Sequence, residues 1–217
     1  MSNARRDIFS AIAENRKKTA MRYEEIMHIM PGCTSAPDRR LQELFEEKAT
    51  ASSASVEHIG SLNELPAAVR RFLFAHREQI EPQRLFLNHP SLTTLDWELL
   101  NWSPELAISA DPACFDAGIG ITCAFCGIAE TGSIVLLSET GVSSAAYFLP
   151  GILIVALPKD QIVPVQEAAW AKVLTVYPRL PRTVTLVTGP SRTGDIEQKL
   201  VIGAHGPREV HMVLYDR

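Results

Sequence analysis

Ser133-Ile-Val-Leu-Leu137 and Ile152-Leu-Ile-Val-Ala156 are two uninterrupted apolar runs, and glycine or proline stands just before each, at Gly132 and at Pro150-Gly151. A strand with one wet face alternates apolar and polar residues. A strand apolar at every position is buried on both faces, the usual condition of a parallel sheet covered by helices. Pro150-Gly151 interrupts the longest apolar stretch, residues 148–157, well short of the roughly 18 residues of a membrane span.

Outward from these runs the chain alternates helix and strand. On the carboxyl side, Pro164 stands near the start of a helix running to about residue 174. Thr183-Val-Thr-Leu-Val187 reads as a strand, residues 195–202 as a short helix stopped by Gly203, and residues 210–215 as a final strand. On the amino side, Leu41, Leu44, Phe45 and Lys48 give an amphipathic helix, and Ser55-Val-Glu-His-Ile59 alternates like a strand. Ser61-Leu-Asn-Glu64 has capping-box spacing and opens a helix whose apolar side is Leu65, Val69, Phe72 and Leu73. Leu85-Phe-Leu87 reads as a strand, residues 92–100 as a helix, and residues 105–109 as a strand. Such alternation specifies an α/β fold with a mostly parallel sheet.

Ahead of this, Ile8, Phe9 and Ile12, then Tyr23, Ile26, Met27 and Met30, mark two helical faces ended by Pro31-Gly32. Residues 1–36 are thus expected to form an N-terminal helical arm and residues 37–217 the α/β domain. The 217 residues are 46 % hydrophobic, enough for a substantial core, and the net charge of −4 comes from mixed charges. No basic cluster marks a nucleic-acid surface. No apolar run follows Arg5-Arg6, so no signal peptide is read there; the expected location is cytoplasmic, with reduced cysteines.

Three segments carry polar residues next to buried strands, where open α/β sheets place ligands. The first, residues 118–133, is read as a loop ending in Glu130-Thr131-Gly132. Glu130 can act as base or nucleophile with Thr131 and the glycine amide as donors, or stand as the acid of a plain turn. A carboxylate so close to a buried strand is expected to be partly desolvated. The second, Thr188-Gly-Pro-Ser-Arg-Thr-Gly-Asp-Ile-Glu197, offers Gly189, Ser191, Arg192 and Thr193 ahead of a helix whose first turn holds Asp195 and Glu197. Free amides there can bind an anion, whereas the two carboxylates already complement the helix dipole, so both readings stay open. The third places His205 in a Gly-rich turn; His211 in the final strand reads as structural. The G-x-S-x-G, G-x-G-x-x-G and P-loop patterns are absent. Cys123-Ala-Phe-Cys126 lacks a second pair at metal-site spacing, since Cys33 and Cys114 are scattered, so small buried thiols and no bound metal are expected.

From residue 118 onward the chain resembles the lactate-utilization protein C family, also called the LUD domain. The resemblance rests on Ile128-Ala-Glu-Thr-Gly132, Leu149-Pro150, Ile162-Val-Pro164, Thr188-Gly-Pro-Ser-Arg-Thr193 with Asp195-Ile-Glu197, and His205-Gly-Pro207. It departs at Cys123, Phe125 and Cys126, where the family has small or acidic residues. The resemblance implies a three-layer α/β/α sandwich related to sugar-isomerase and CoA-transferase-like folds. It also implies a part in oxidising L-lactate to pyruvate beside two partner proteins that carry the iron–sulfur clusters, with none on this chain. The ligand crevice is expected to involve Glu130, Thr131, Gly132, Gly189, Ser191, Arg192, Thr193, Asp195, Glu197 and His205. The rival readings are a free-standing isomerase or acyl/CoA-transfer enzyme using Glu130, and a metal protein built on the cysteines.

Overall fold

The computed structural model describes residues 39–76, 84–100, 107–111, 118–139, 141–196, 199–202 and 206–217. The expected arm, residues 1–36, lies outside them. In chain order the principal elements are α1 (Arg39–Ala51), β1 (Ser55–Ile59), α2 (Leu65–Ala75), β2 (Arg84–Leu87), β3 (Ala107–Ser109), β4 (Ile119–Cys123), β5 (Cys126–Ile128) and β6 (Ser133–Leu137). Then follow β7 (Ile152–Pro158), β8 (Ile162–Val163), α3 (Gln166–Val176), β9 (Val184–Val187), β10 (Arg192–Ile196), β11 (Lys199–Ile202) and β12 (Glu209–Tyr215).

Six strands pair in parallel in the order β1-β12-β7-β4-β2-β3. The apolar run of β7 is explained by its two faces. Ile152, Ile154 and Ala156 point to one core, where Leu65, Val69, Phe72 and Leu73 of α2 also pack. Leu153, Val155 and Leu157 point to the other, against Phe45 and Ala49 of α1 and Ile134 and Leu136 of β6. Burying each large aliphatic side chain contributes about 1.5–3 kcal/mol, so this strand anchors both cores.

The α/β sandwich with a mostly parallel sheet stands, with one addition. A second, mixed sheet in the order β8-β5-β6-β9 lies beside α1 on the face away from α2. β6 is apolar from Ile134 to Leu137 because its other face, Val135 and Leu137, is covered by Ala169 and Val173 of α3. It is nonetheless antiparallel to both neighbours, β5 and β9. Burial on two faces, and not strand direction, dictates the continuous run.

Several local expectations are corrected. Residues 195–202 are no helix: β10 and β11 pair antiparallel, with β-branched Thr193, Ile196, Val201 and Ile202 in the ladder. Residues 92–100 form no continuous helix. Two 3₁₀ turns, Pro90–Leu92 and Trp97–Leu100, take its place, and the Trp97 Nε1–H donates to Leu92 O at 2.7 Å. Ser61 makes no side-chain cap; the chain enters α2 through a 3₁₀ turn. Residues 118–133 are two strands and a turn. Gly120 and Gly127 fooled the pattern because each marks a close approach: a Cβ at Gly120 would stand 2.8 Å from Pro150, and one at Gly127 2.9 Å from both Leu157 and Phe45.

As expected, His211 is structural. It pairs in register with Ser55 across β1 and β12, its Nδ1 lies 2.8 Å from Ser55 Oγ, and its ring stacks on Phe72 at 4.4 Å. Its Nε2 is 3.4 Å from Glu57 Oε2 but is not aligned for a hydrogen bond, and has no such partner among the described residues. Burial pulls its pKa down to about 4, against the opposing pull of Glu57. The unfolded chain binds this proton from about pH 6.5 downward and the folded chain only near 4, so the stability is present at pH 7 and lost between those values. Denaturant unfolding from pH 7.5 to 4 should show that loss, and His211→Asn should flatten it; parallel profiles for the two proteins would refute the assignment.

Candidate functional site

The antiparallel register of β6 and β9 sets Ile134 opposite Val187, so the turn before β6 and the loop after β9 meet at one end of the small sheet. A chain of hydroxyls joins them: Thr131 Oγ1 is 2.7 Å from Ser133 Oγ, which is 2.6 Å from Thr188 Oγ1. Both segments press on the carboxyl end of α1. Gly132 has φ +65°, and a Cβ there would stand 2.1 Å from the Ala49 nitrogen. Gly189 has φ +75°, and its Cβ would meet the Ser52 carbonyl oxygen at 2.1 Å. Only glycine combines that backbone conformation with such an approach.

Beyond this contact, at the amino-terminal edge of the large sheet, lies a groove of about 460 Å³. Ser53, Ser55, His76, Arg192, Arg208 and Glu209 supply its polar lining. The Arg192 Nη2–H donates to Ser53 Oγ. The Arg208 backbone N–H donates to Gly151 O at 2.7 Å, which fixes the arginine at the groove wall. Two guanidinium groups with hydroxyl neighbours and a single carboxylate favour an anion, and guanidinium suits a carboxylate by its forked geometry.

The structure brings only part of the expected set to this groove. Arg192 lines it, and Ser191 sits behind, its N–H donating to Pro207 O at 2.8 Å. Gly132 and Gly189 are buried against α1. Glu130 and Thr131 are exposed on the neighbouring turn; Glu130 is not desolvated, and its N–H donates to Pro164 O at 3.0 Å. Thr193 and Asp195 fall in β10, so Asp195 opens no helix and the amides of residues 188–194 make no helical anion site. Glu197 and His205 lie outside the described residues.

Cys123 ends β4 and Cys126 begins β5, which is not the helix-opening position of a redox pair. Burial pushes both thiols up to about 12, Glu139 adding to the rise at Cys123 while Lys172 opposes it at Cys126. Among the described residues, no group of three or more His, Cys, Asp or Glu side chains could hold a metal ion.

A second cavity, of about 350 Å³, opens at the opposite, carboxyl edge of the large sheet. Cys123, Pro158 and Tyr215, the last residues of β4, β7 and β12, form its floor, and His89, Glu139, Lys172 and Arg217 its polar wall. Sequence reasoning missed this cleft because its residues come from separate segments without a motif. One signal was legible: His89 stands just after the apolar strand β2, at the carboxyl end of a parallel strand, where such sheets present side chains to a crevice.

The profile of the LUD domain matches residues 11–215. Lactate utilization protein C of Geobacillus kaustophilus is 34 % identical over 120 residues, covering 54 % of this chain and 50 % of that protein. The protein of the same name from Bacillus subtilis is 31 % identical over 140 residues, 58 % and 57 % of the two chains. The chain spans about half the length of the curated relatives it matches. Among solved structures, a DUF162 family protein from Deinococcus radiodurans superposes with a TM-score of 0.55 at 22 % identity, covering 81 % of this chain and 96 % of that one, which shows the fold.

Two outcomes follow from this geometry. Gly132→Ala should lower stability by about 2–6 kcal/mol in equilibrium denaturation, combining left-handed strain and overpacking of about 1–3 kcal/mol each; a loss below about 1 kcal/mol would contradict the packing. At pH 8, iodoacetamide should alkylate Cys123 and Cys126 in the folded protein on the order of a hundredfold more slowly than in urea, read by peptide mass spectrometry. Equal rates would mean that the thiols are neither buried nor suppressed.

Proposed function

Because the chain belongs to the LUD domain family, we propose that it serves lactate utilization in the cytoplasm, binding an anionic ligand in the Arg192–Arg208 groove. In this reading it is a component of an L-lactate-oxidising system, and two partner proteins carry the iron–sulfur clusters that accept electrons. The chain itself holds and positions; the redox chemistry belongs to the partners.

The observation that carries the reading is the convergence of the family's motif segments on one end of α1. The turn at residues 129–132, the loop at residues 188–192 and the segment at residues 206–208 come from distant parts of the sequence. They meet through the Thr131–Ser133–Thr188 hydroxyls and the Ser191–Pro207 bond. Arg192 and Arg208 then share a groove with Ser53 and Ser55. The relatives' names supply the process, lactate utilization. Glu130, exposed and outside the groove lining, offers the rival transferase reading no enclosed nucleophile.

The test is growth on L-lactate of a bacterium whose own lactate utilization protein C has been deleted. The wild-type chain should restore growth, and Arg192→Ala with Arg208→Ala should abolish it while the purified double variant melts within about 2 °C of wild type, since both side chains are exposed. Undiminished growth of the double variant would remove the groove from the function.

A further inference from the structure

Lys172, on α3, lines the carboxyl-edge cavity, and its surroundings are unusual for an ammonium group. It is half-buried, and its Nζ–H donates to Gln161 Oε1, a neutral amide. Among the described residues no carboxylate lies within 4.0 Å of it, whereas Lys159 pairs with Asp216 at 2.8 Å and Arg217 with Asp160 at 3.7 Å. The Phe125 ring centroid is 5.8 Å from Nζ, at the outer limit of a cation–π contact. Burial lowers the Lys172 pKa and Arg217 adds to the fall, with Cys126 and Asp160 opposing. An amine attacks as the free base, and a lysine desolvated in a partly apolar cleft supplies more of that form at neutral pH.

Two other groups of the cavity decide what such an amine meets. His89 Nδ1 accepts the Ser91 backbone N–H at 3.2 Å, which places the ring proton of the neutral tautomer on Nε2. Burial lowers the His89 pKa, with Glu139 opposing, so at pH 7 the ring is an uncharged N–H donor. Glu139 is a carboxylate of the same lining, and the hydroxyl of Tyr177, which donates to its Oε1, is neutral. Its negative charge disfavours an anionic ligand and tolerates a neutral or cationic one. Phe125, Leu137 and Val142 add apolar wall, and a volume of about 350 Å³, at the small end of ligand sites, suits a molecule of a few carbons. We infer that the carboxyl-edge cavity is an imine-forming site for short neutral aldehydes, with Lys172 Nζ as the nucleophile and His89 donating to the carbonyl oxygen. The free amine attacks the carbonyl carbon, and the C–N bond forms as the C=O π bond opens onto oxygen. That oxygen receives one proton from the attacking nitrogen and a second from solvent, the one Lys172 gave up on becoming the free amine, and leaves as water. The product is an iminium that keeps the single positive charge of the ammonium, spread over C=N. His89 stays neutral throughout and stabilises the charge that gathers on the departing oxygen. The site lies at the other edge of the sheet from the Arg192–Arg208 groove and does not rest on the function proposed there.

Trapping of the imine on the full chain tests the assignment. Propionaldehyde is applied at pH 7 with cyanoborohydride in excess, so that imine formation limits the rate, and peptide mass spectrometry locates the propyl groups. Lys172 should be propylated faster than Lys48, a surface lysine beside Glu47, by about tenfold or more. Succinic semialdehyde, an anionic aldehyde, should show no such preference. His89→Gln, whose amide oxygen can still accept the Ser91 N–H, should slow propylation of Lys172 by about tenfold and leave Lys48 unchanged. Acrylonitrile, a small electrophile without a carbonyl, should modify Lys172 at equal rates in the wild type and in that variant. Lys172 propylated no faster than Lys48, the same preference with succinic semialdehyde, an unchanged rate in His89→Gln, or equal slowing toward both reagents would each overturn the proposal.

Discussion

The end of helix α1 is the constraint on which the rest of the molecule hangs. Ala49 and Ser52 present bare backbone to Gly132 and Gly189, and Ser53 turns the chain into β1 with φ +66°. Backbone meets backbone with no space for a Cβ, so this contact tolerates little adjustment. It pins two turns of the small sheet to one helix end, and thereby sets the small sheet against the large one. The groove that holds Arg192 follows directly, because Ser53, its hydrogen-bond partner, belongs to the same turn.

The division of β7 between two cores shows what a sequence displays well. Burial on both faces writes itself as an unbroken apolar run, and β7 and β6 were legible for that reason. Helices α1 and α2, with their apolar stripes, and the strands β1, β2 and β12 were equally plain. Strand direction was not, since β6 earns its run from sandwiching and lies in an antiparallel pairing. The β10–β11 hairpin was hidden because Asp195 and Glu197 mimic the acidic first turn of a helix. Glycines 120 and 127 made two strands look like a loop, although they are there to admit Pro150, Phe45 and Leu157. At the candidate sites, Arg192 was visible through its motif, whereas Arg208, Lys172 and His89 acquire meaning only from neighbours far away in the chain.

The two edges of the large sheet differ in their electrostatics. At the amino edge, exposed guanidinium groups and hydroxyls form a broad, wet groove suited to selecting an anion by geometry. At the carboxyl edge, a half-buried ammonium and an imidazole whose pKa burial lowers sit among aromatic and aliphatic side chains, where a lower dielectric makes each polar contact count for more. One sheet thus offers two chemically unlike surfaces with some seven layers of backbone pairing between them, as the register of β12 on β7 from Glu209↔Ile152 to Tyr215↔Pro158 makes plain.

The strand order has a consequence for how this chain is made. β12, residues 209–215, is inserted between β1 and β7, and no other strand of the large sheet touches both. During synthesis β1 leaves the ribosome long before its partner exists, and it stays apart from β7 and the strands beyond until residues 209–215 appear. Pairings of such sequence separation, Ser55 with His211 at one extreme, make for slow closure. Until then the edges of β1 and β7 are open templates for foreign strands. A nascent chain of this kind gains from a chaperone that shields those edges, and a ribosome stalled shortly before β12 would release an aggregation-prone fragment with two unfilled seams.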